Sequence, residues 1–399
     1  MSSRPLTGLR IIDLTQVFAG PYCTYLLGLL GAEVIKVELP AGEWARTQGR
    51  HGPARDAGLS AGFATQAAGK RMLAVDIRAP EGATILRDLL RTADVFVENM
   101  TPGTIARLGF DEPMLRALNP RLVFVSISGF GQTGPFASWP AFDHITQAVS
   151  GLMSVTGTPD AAPLRVGPPV VDYATGAYAA FAVMAALAQR ARDGLFQRVD
   201  LSMWDVAQAL MSSTISGYLN AGVTPRPEGN VAASGSPSSG VFDTASGKLA
   251  LAANFEPQYC RLCAAIGRED LLTDPRFADR ATRLSHADAL RAELAAAFAA
   301  RPAGEWEAVL MEADVPAGRV RTIPEALAEP HTAERGIWRS VEGGTGAMSL
   351  PAVPFLLNRA APGPDVVPGR VGADTDAVLS ALGRTAAEIA VLRRDGVVG

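Results

Sequence analysis

The first 130 residues alternate short apolar runs with longer mixed stretches, a pattern typical of a parallel β-sheet covered by helices. The predicted strands are residues 9–14, 33–37, 72–77, 94–98 and 122–127. Because such sheets bind ligands at the carboxyl ends of their strands, we expect the chemistry in loops 16–21, 38–69, 99–103 and 128–135. No G-x-G-x-x-G opens the first helix, so the dinucleotide fingerprint of a dehydrogenase is missing.

The rest of the chain predicts a second, smaller unit inserted into the first. Two apolar helices, near 173–191 and 201–220, precede a stretch from residue 224 to 240 that is rich in Gly, Pro and Ser. A hairpin pattern at 241–251 and several Ala- and Leu-rich helices follow. We therefore predict a large Rossmann-like α/β domain from residues 1–223 and 326–399. We place a smaller α+β domain, with its preceding linker, at 224–325.

Composition narrows the class of protein. The net charge of −4 offers no basic stripe for nucleic acid, and three cysteines with no signal pattern favour a reducing cytoplasm. Cys260 and Cys263 have no neighbouring ligands for a zinc site, so we expect no metal. Tyr173–Leu187 is apolar but spans only 15 residues, whereas a membrane span needs about 20. We predict a buried core helix there and no membrane association.

Several segments, in order along nearly the whole chain, carry a family resemblance. They include Leu6–Pro21, Gly31–Glu38, Gly69–Asp76, Ala93–Asn99, Pro102–Gly109, Ser126–Pro135, Phe142–Gly151, Val166–Asp172 and Val315–Val320. Together they resemble the class III CoA-transferases, the CaiB/BaiF or formyl-CoA transferase type. The resemblance implies a large α/β domain built from both chain ends, a small middle domain, and a homodimer of two chains threaded as interlocked rings.

Asp172 is the residue that the resemblance implies to be catalytic. Position alone favours a helix N-cap, because Asp172 precedes the apolar helix predicted from Tyr173 and Asp is a preferred cap. The surrounding V-G-P-P-V-V-D motif implies instead a nucleophilic carboxylate, and the two roles can coexist. The ordinary pKa of Asp, near 3.9, leads us to expect an ionised nucleophile at neutral pH without help.

The resemblance also implies a coenzyme A site and a mobile lid. The first loop (Gln16, Val17, Phe18, Ala19) would cradle the thioester, although relatives often carry His in place of Gln16. The other residues implied to contact coenzyme A are Lys70, Arg71, Asn99, Arg107 and Phe142. Arg46, Gly229 and Asn230 are assigned to substrate binding or the lid. Each set also has a purely structural alternative. The first loop can be a plain strand-to-helix turn, the Lys and Arg residues can be ordinary surface charges, and the lid can be a flexible linker.

The implied activity is transfer of coenzyme A from an acyl-CoA donor, with succinyl-CoA as one option, to a carboxylic acid. Coenzyme A is then a substrate, and no nucleotide redox cofactor is expected. The alternative is an α-methylacyl-CoA racemase of the same fold, which uses a His where this chain has Phe142. His144 follows two positions later, about 7 Å along a strand. A non-catalytic acyl-CoA-binding subunit is the third possibility, and a dicarboxylate substrate would need a cation such as Arg46 or Arg165.

Overall fold

The computed structural model describes residues 4–48, 59–232, 234–343 and 346–399. The chain divides into two compact units. The first comprises Met1–Met153, Arg165–Pro225 and Pro330–Gly399, and the second comprises Ser154–Leu164 and Arg226–Glu329. The sequence places the domain boundaries at 223/224 and 325/326, whereas the units divide after Pro225 and Glu329, and residues 154–164 belong with the second unit.

The strands, in chain order, are β1 (Arg10–Leu14), β2 (Glu33–Glu38), β3 (Arg71–Ala74), β4 (Val95–Glu98), β5 (Val123–Ser128), β6 (Gln197–Ser202), β7 (Ser239–Asp243), β8 (Lys248–Ala252), β9 (Ala317–Arg319), β10 (Trp338–Val341) and β11 (Met348–Pro351). The helices are α1 (Ala19–Leu29), α2 (Ala61–Ala67), α3 (Pro80–Arg91), α4 (Thr104–Arg107), α5 (Glu112–Leu118), α6 (Asp143–Val149), α7 (Val170–Asp193), α8 (Met203–Leu210), α9 (Ser212–Ala221), α10 (Glu256–Ala265), α11 (Asp270–Thr273), α12 (Arg280–Ser285), α13 (Ala287–Phe298), α14 (Ala303–Glu312), α15 (Ile323–Ala328), α16 (Pro330–Arg335), α17 (Thr375–Ala381) and α18 (Ala386–Arg394).

A six-stranded parallel sheet forms the centre of the first unit, in the order β3-β2-β1-β4-β5-β6. The five predicted strands are confirmed, and each is mostly apolar and mostly buried, as in a sheet covered on both faces. β6 escaped prediction because Gln197–Ser202 is a half-exposed edge strand that mixes polar and apolar residues. β1 pairs with β2 on one side and with β4 on the other, so the strand order reverses there. This reversal is the switch point at which open α/β sheets bind ligands.

Helix α7 is the long apolar helix of the first unit, and by length and composition alone it would suffice to cross a membrane. One face packs on α1 so closely that a Cβ on Gly176 would lie 2.6 Å from the Ala19 carbonyl oxygen. Ala179 and Val183 on that face are fully buried in the core shared with β4 and β5. The helix is therefore a partly buried core helix.

The second unit is α+β. Its antiparallel sheet has the order β7-β8-β9, and the predicted hairpin is confirmed by the pairing of Phe242 with Leu249. Helices α10, α13 and α14 cover the sheet with a core that includes Leu262, Leu294 and Trp306.

One loop prediction and one helix prediction need correction. The stretch 41–69, expected to be a loop, contains a short 3-10 helix at Trp44–Arg46 and the helix α2, which Ser60 caps by accepting from the Phe63 N–H. Residues 49–58 of that stretch lie outside the described part of the chain. The single helix expected at 201–220 consists of the end of β6 followed by α8 and α9.

Candidate active site

A cavity of about 220 Å³ lies at the carboxyl ends of β1, β4 and β5, at the switch point of the parallel sheet. The loops after these three strands form most of its wall. The lining residues are Gln16, Val17, Phe18, Ala19, Asn99, Met100, Ile127, Ser128, Gly129, Ala141, Phe142, Asp172 and Met203. Six predicted coenzyme A contacts (Gln16, Val17, Phe18, Ala19, Asn99, Phe142) and the predicted nucleophile thus come together at one cavity.

Asn99 ties the loop after β4 to the loop after β1. Its Oδ1 accepts the Gln16 N–H at 2.8 Å, and its Nδ2 donates to the Gln16 carbonyl at 2.8 Å. The side-chain amide expected to contact coenzyme A is therefore already bonded to the protein backbone. Asn99 lines the cavity, but its polar atoms shape the loop.

Lys70 and Arg46 do not occupy the exposed positions expected of ligand-binding cations. Lys70 Nζ is buried and pairs with Asp13 at 2.8 Å. Arg46 is also buried, holds Glu38 with two nitrogens, and stacks 4.2 Å from the centre of the Phe63 ring. Neither residue lines a cavity that also contains Asp172 in the described part of the chain, so their contact with coenzyme A or substrate stays a prediction.

Arg71 and Arg107 lie elsewhere on the first unit. Arg71 is half-buried in an ion pair with Glu33, and the exposed Arg107 donates to Thr104 Oγ1 within α4. Neither lines the two cavities among the residues described, so their contact with coenzyme A stays a prediction. Gly229 and Asn230 belong to the second unit, where Gly229 has a φ of 65° and donates its N–H to the Gly157 carbonyl.

Asp172 lies inside the first turn of α7 and does not cap it. The helix begins at Val170, so the N-cap role that position alone favours for Asp172 is not observed. The cap comes from another helix: Asp143 Oδ2 accepts the N–H groups of Val171 at 2.8 Å and Asp172 at 3.1 Å. Gln147 then fixes Asp143 by donating to its Oδ1 at 2.6 Å. These two residues were missed as site residues because the contacts that reveal them join separate helices.

The electrostatics of Asp172 follow from this arrangement. The residue is only 8% exposed. Burial, and after it the Asp143 carboxylate, raise the pKa of Asp172 to about 7. The expectation of a carboxylate ionised at neutral pH without help is therefore corrected, since both causes disfavour the charged form. A carboxylate with a pKa near the working pH is the type of group found at functional sites.

A second cavity of about 630 Å³ adjoins the first and shares Val17, Phe18, Phe142 and Asp172 with it. Its remaining lining residues are Trp44, Asp143, His144, Ile145, Ala148, Met153, Arg165 and Pro169. Most of this wall is apolar. The exposed Arg165 is its one arginine among the described residues, and its Nη1 donates to the Gly167 carbonyl at 2.6 Å.

The surroundings of Phe142 and His144 differ from the expected strand. Phe142 precedes α6 as its N-cap residue, and His144 lies in the first turn of that helix. The spacing of about 7 Å along a strand is therefore wrong. Both rings contribute to the second cavity, and their centres lie 6.5 Å apart in parallel planes.

Comparisons of sequence and of structure with known proteins lead to the same family. Residues 6–375 match the model of CoA-transferase family III. The chain is 37% identical over 362 residues to the succinate–glutarate CoA-transferase of Agrobacterium fabrum, covering 89% of this chain and 90% of that protein. It is 37% identical over 330 residues to the succinyl-CoA–D-citramalate CoA-transferase of Chloroflexus aurantiacus, covering 82% and 81%. A CaiB/BaiF family protein from Brucella suis superposes with a TM-score of 0.84 at 30% identity, covering 96% of this chain and 100% of the other.

Proposed function

The chain belongs to CoA-transferase family III, as its sequence motifs predicted, and we propose that Asp172 is the carboxylate through which it moves coenzyme A between acids. The observation that carries the proposal is the position of Asp172, which lines both the cavity at the switch point and the larger apolar cavity beside it. A group that must react in turn with a thioester and with a free acid needs access to both.

The proposed reaction has four steps. An oxygen of Asp172 attacks the thioester carbonyl, the C–S bond breaks, and a mixed anhydride and the coenzyme A thiolate result. The thiolate attacks the Asp172 carbonyl of the anhydride, which releases the donor acid and leaves an aspartyl-CoA thioester. The acceptor carboxylate then attacks that thioester, giving a second anhydride and the thiolate again. Finally the thiolate attacks the acceptor acyl group, and Asp172 leaves as a carboxylate.

We assign the cavity at the switch point to the thioester end of coenzyme A. Its first loop supplies the residues proposed to cradle the thioester: Gln16, Val17, Phe18 and Ala19. Phe142 would form the wall between the two cavities, since it lines both. Arg71 and Arg107 remain proposed contacts for the phosphates, because an arginine on the surface can bind a phosphate with two nitrogens.

We assign the larger cavity to the acyl groups of donor and acceptor. The two curated relatives described above are named for succinate or succinyl-CoA, and for glutarate and D-citramalate, so we propose succinyl-CoA as donor and a dicarboxylic acid as acceptor. Of the two arginines considered for the distal carboxylate, Arg46 is bound to Glu38, whereas Arg165 is exposed and lines this cavity with Asp172. Arg165 is therefore the proposed partner of that carboxylate.

We also propose a homodimer of interlocked chains located in the cytoplasm. Support comes from the outer face of α7 and from α9, where Phe181 and Leu219 are 70% and 72% exposed in the single chain. The three cysteines, Cys23, Cys260 and Cys263, are free, as a reducing compartment allows. The Gly229–Asn230 turn would close over the intermediate. Light scattering of the purified protein measures the mass that tests the dimer.

Trapping the covalent intermediate tests the function. The protein is incubated with succinyl-CoA and glutarate, the CoA products are measured by mass spectrometry, and peptides are searched for coenzyme A on Asp172. Asp172→Ala should lose transfer and the adduct, whereas Asp160→Ala, at an exposed position of the second unit, should keep both. Transfer at the wild-type rate by the Asp172→Ala variant would refute the proposed nucleophile.

One observation favours the racemase alternative. His144 lines the same cavity as Asp172, and its imidazole is a suitable general base. The two activities separate cleanly in deuterium oxide. A racemase incorporates deuterium at the α-carbon of a 2-methylacyl-CoA without any acceptor acid, and His144→Ala would abolish that exchange. We expect no exchange at the α-carbon and transfer only when an acceptor acid is present.

A further inference from the structure

The loop that we propose to cradle the thioester is held in an unfavourable conformation. Val17 has a φ of 68°, in the left-handed region that β-branched residues avoid because the branched side chain crowds the backbone. A residue held there is strained and keeps that conformation only when its surroundings enforce it. Contacts outside Val17 must therefore keep the loop in this shape.

The carbonyl groups of this loop are held by hydrogen bonds from buried side chains. Lys36 Nζ donates to the Thr15 carbonyl at 2.8 Å, and Lys70 Nζ donates to the Pro21 carbonyl at 2.9 Å. Gln66, with its amide turned so that both ends are satisfied, donates to the carbonyls of Val17 and Phe18 at 3.2 and 2.9 Å.

Three N–H groups of the same loop, in contrast, have no hydrogen-bond partner in the described part of the chain. They are the N–H groups of Val17, Phe18 and Ala19. All three residues line the cavity at the switch point. The loop thus keeps its carbonyls bonded to the protein, whereas these three N–H groups stay without a partner among the described residues beside the cavity.

The side chains that fix the loop form one buried network of charges. Lys36, Lys70 and Asp13 each have side chains no more than 1% exposed. Asp13 accepts from Lys70 at 2.8 Å, and from the N–H and hydroxyl of Thr15. Thr24 also donates to Asp13, and Lys36 pairs with Glu43 at 2.8 Å.

Burying this many charges is hard to explain by stability alone. Desolvation offsets most of the attraction within a buried ion pair, and apolar residues of the same volume often stabilise a protein as well or better. An apolar core, however, could not donate to the carbonyls of Thr15 and Pro21.

We infer that Asp13, Lys36 and Lys70 are positioning residues, which hold Val17 in its left-handed conformation and thereby direct the N–H groups of the first loop at the reacting thioester. The inference rests on the proposed function, because it assigns those N–H groups to the oxyanion formed when Asp172 attacks. Donors fixed before the reaction stabilise such a charge without reorganising. The residues that fix them contribute to the rate without touching the substrate.

The test neutralises one ion pair beneath the loop and a matched pair away from it. The variant Lys36→Met with Glu43→Gln removes the donor to Thr15 and leaves no buried charge unpaired. The control, Arg190→Met with Asp94→Asn, removes a pair whose atoms lie 2.9 Å apart and which has no hydrogen bond to residues 15–21. Thermal melts report the stability of both variants, and steady-state transfer from succinyl-CoA to glutarate reports kcat and KM.

We expect kcat to fall by about 10- to 100-fold in the loop variant, with a smaller change in KM. A misplacement of catalytic groups by about 1 Å lowers the rate by up to about 100-fold. The control should stay within about twofold. A crystal structure of the loop variant should show Val17 outside the left-handed region. Equal kcat in the two variants, or an unmoved Val17, overturns the inference.

A second variant covers the case in which the double variant does not fold. Thr24→Val removes the hydroxyl between Asp13 and Lys70 with almost no change of volume, and we expect the same selective loss of kcat. An inactive wild-type protein would refute the proposed function itself. The conformation of Val17 in either variant still decides whether the buried charges hold the loop.

Discussion

Replacing Asp143 by Asn should move the acid limb of the activity to lower pH. Asp172 must be ionised to attack, so activity falls as the pH drops through the pKa of Asp172, which is about 7. Asp143 is the second cause of that raised pKa, after burial. Asn keeps an oxygen for the N–H groups of Val171 and Asp172 but carries no charge. The helix start is thus retained while the repulsion is removed.

The size of the effect has an upper bound. The pKa of Asp172 rises from 3.8 to about 7, which corresponds to roughly 4 kcal/mol. Asp143 is the smaller of two contributions, so its removal lowers the pKa by at most about 1.5. At pH 6 the ionised fraction of Asp172 would then rise from about a tenth by up to roughly eightfold.

The assay is the pH dependence of kcat/KM between pH 5 and 9, because this ratio reports the ionisation of the free enzyme. A matched control is Asp111→Asn, since Asp111 caps α5 by accepting from the Met114 N–H and lines neither cavity among the described residues. Its midpoint should equal that of the wild type. If the midpoints of Asp143→Asn and wild type coincide, the repulsion between the two carboxylates does not govern the nucleophile and the reasoning fails.

Three further changes have defined outcomes. Arg165→Met should raise the KM for glutarate at least tenfold and leave the KM for a monocarboxylic acceptor nearly unchanged, as measured with both acceptors; an equal rise for both would contradict the proposed contact. Asp172→Asn should melt at a higher temperature than wild type above pH 7 and at the same temperature near pH 4. The raised folded pKa of Asp172 means that stability is fully present below pH 4 and is lost as the pH rises through about 7, by up to ~4 kcal/mol; a pH-independent difference in melting temperature would contradict this. Gly176→Ala should destabilise the protein by about 1–3 kcal/mol in calorimetry, because its Cβ would meet the Ala19 carbonyl at 2.6 Å, and an unchanged melt would refute that contact.

The sequence predicted the central sheet well because each buried strand is a short, mostly apolar run. β5 (Val123–Ser128) is an example, with every residue buried and only its two serines polar. The same reasoning failed for Gln197–Ser202, where a strand at the sheet edge needs no such run. It also assigned Lys70 to coenzyme A and did not foresee its burial, since the partner that allows that burial, Asp13, lies 57 residues away.

The residues of the candidate cavity were easier to foresee than their chemistry. The family resemblance singled out Asp172 and the loop from Gln16 to Ala19, and the structure brings them to one cavity. The raised pKa of Asp172 depends on burial and on Asp143, 29 residues earlier, so no local pattern reveals it. The second cavity likewise depends on side chains from separate elements, and its other lining residues, Trp44, Asp143, Ile145, Ala148, Met153 and Pro169, were not assigned to the site from the sequence.

The hydrogen bonds at the start of α7 help to explain why the buried Asp172 has a raised pKa. The N–H groups of Val171 and Asp172 would ordinarily stabilise a carboxylate in the first helical turn, but Asp143 accepts both of them. Asp172 is therefore buried without hydrogen bonds from its own helix, and its anion is held at high free energy. An anion of that kind gains from sharing its charge with an acyl group, whereas an anion stabilised by the helix would lose its hydrogen bonds on attack. The capping role thus belongs to Asp143, and this division leaves Asp172 available as the nucleophile.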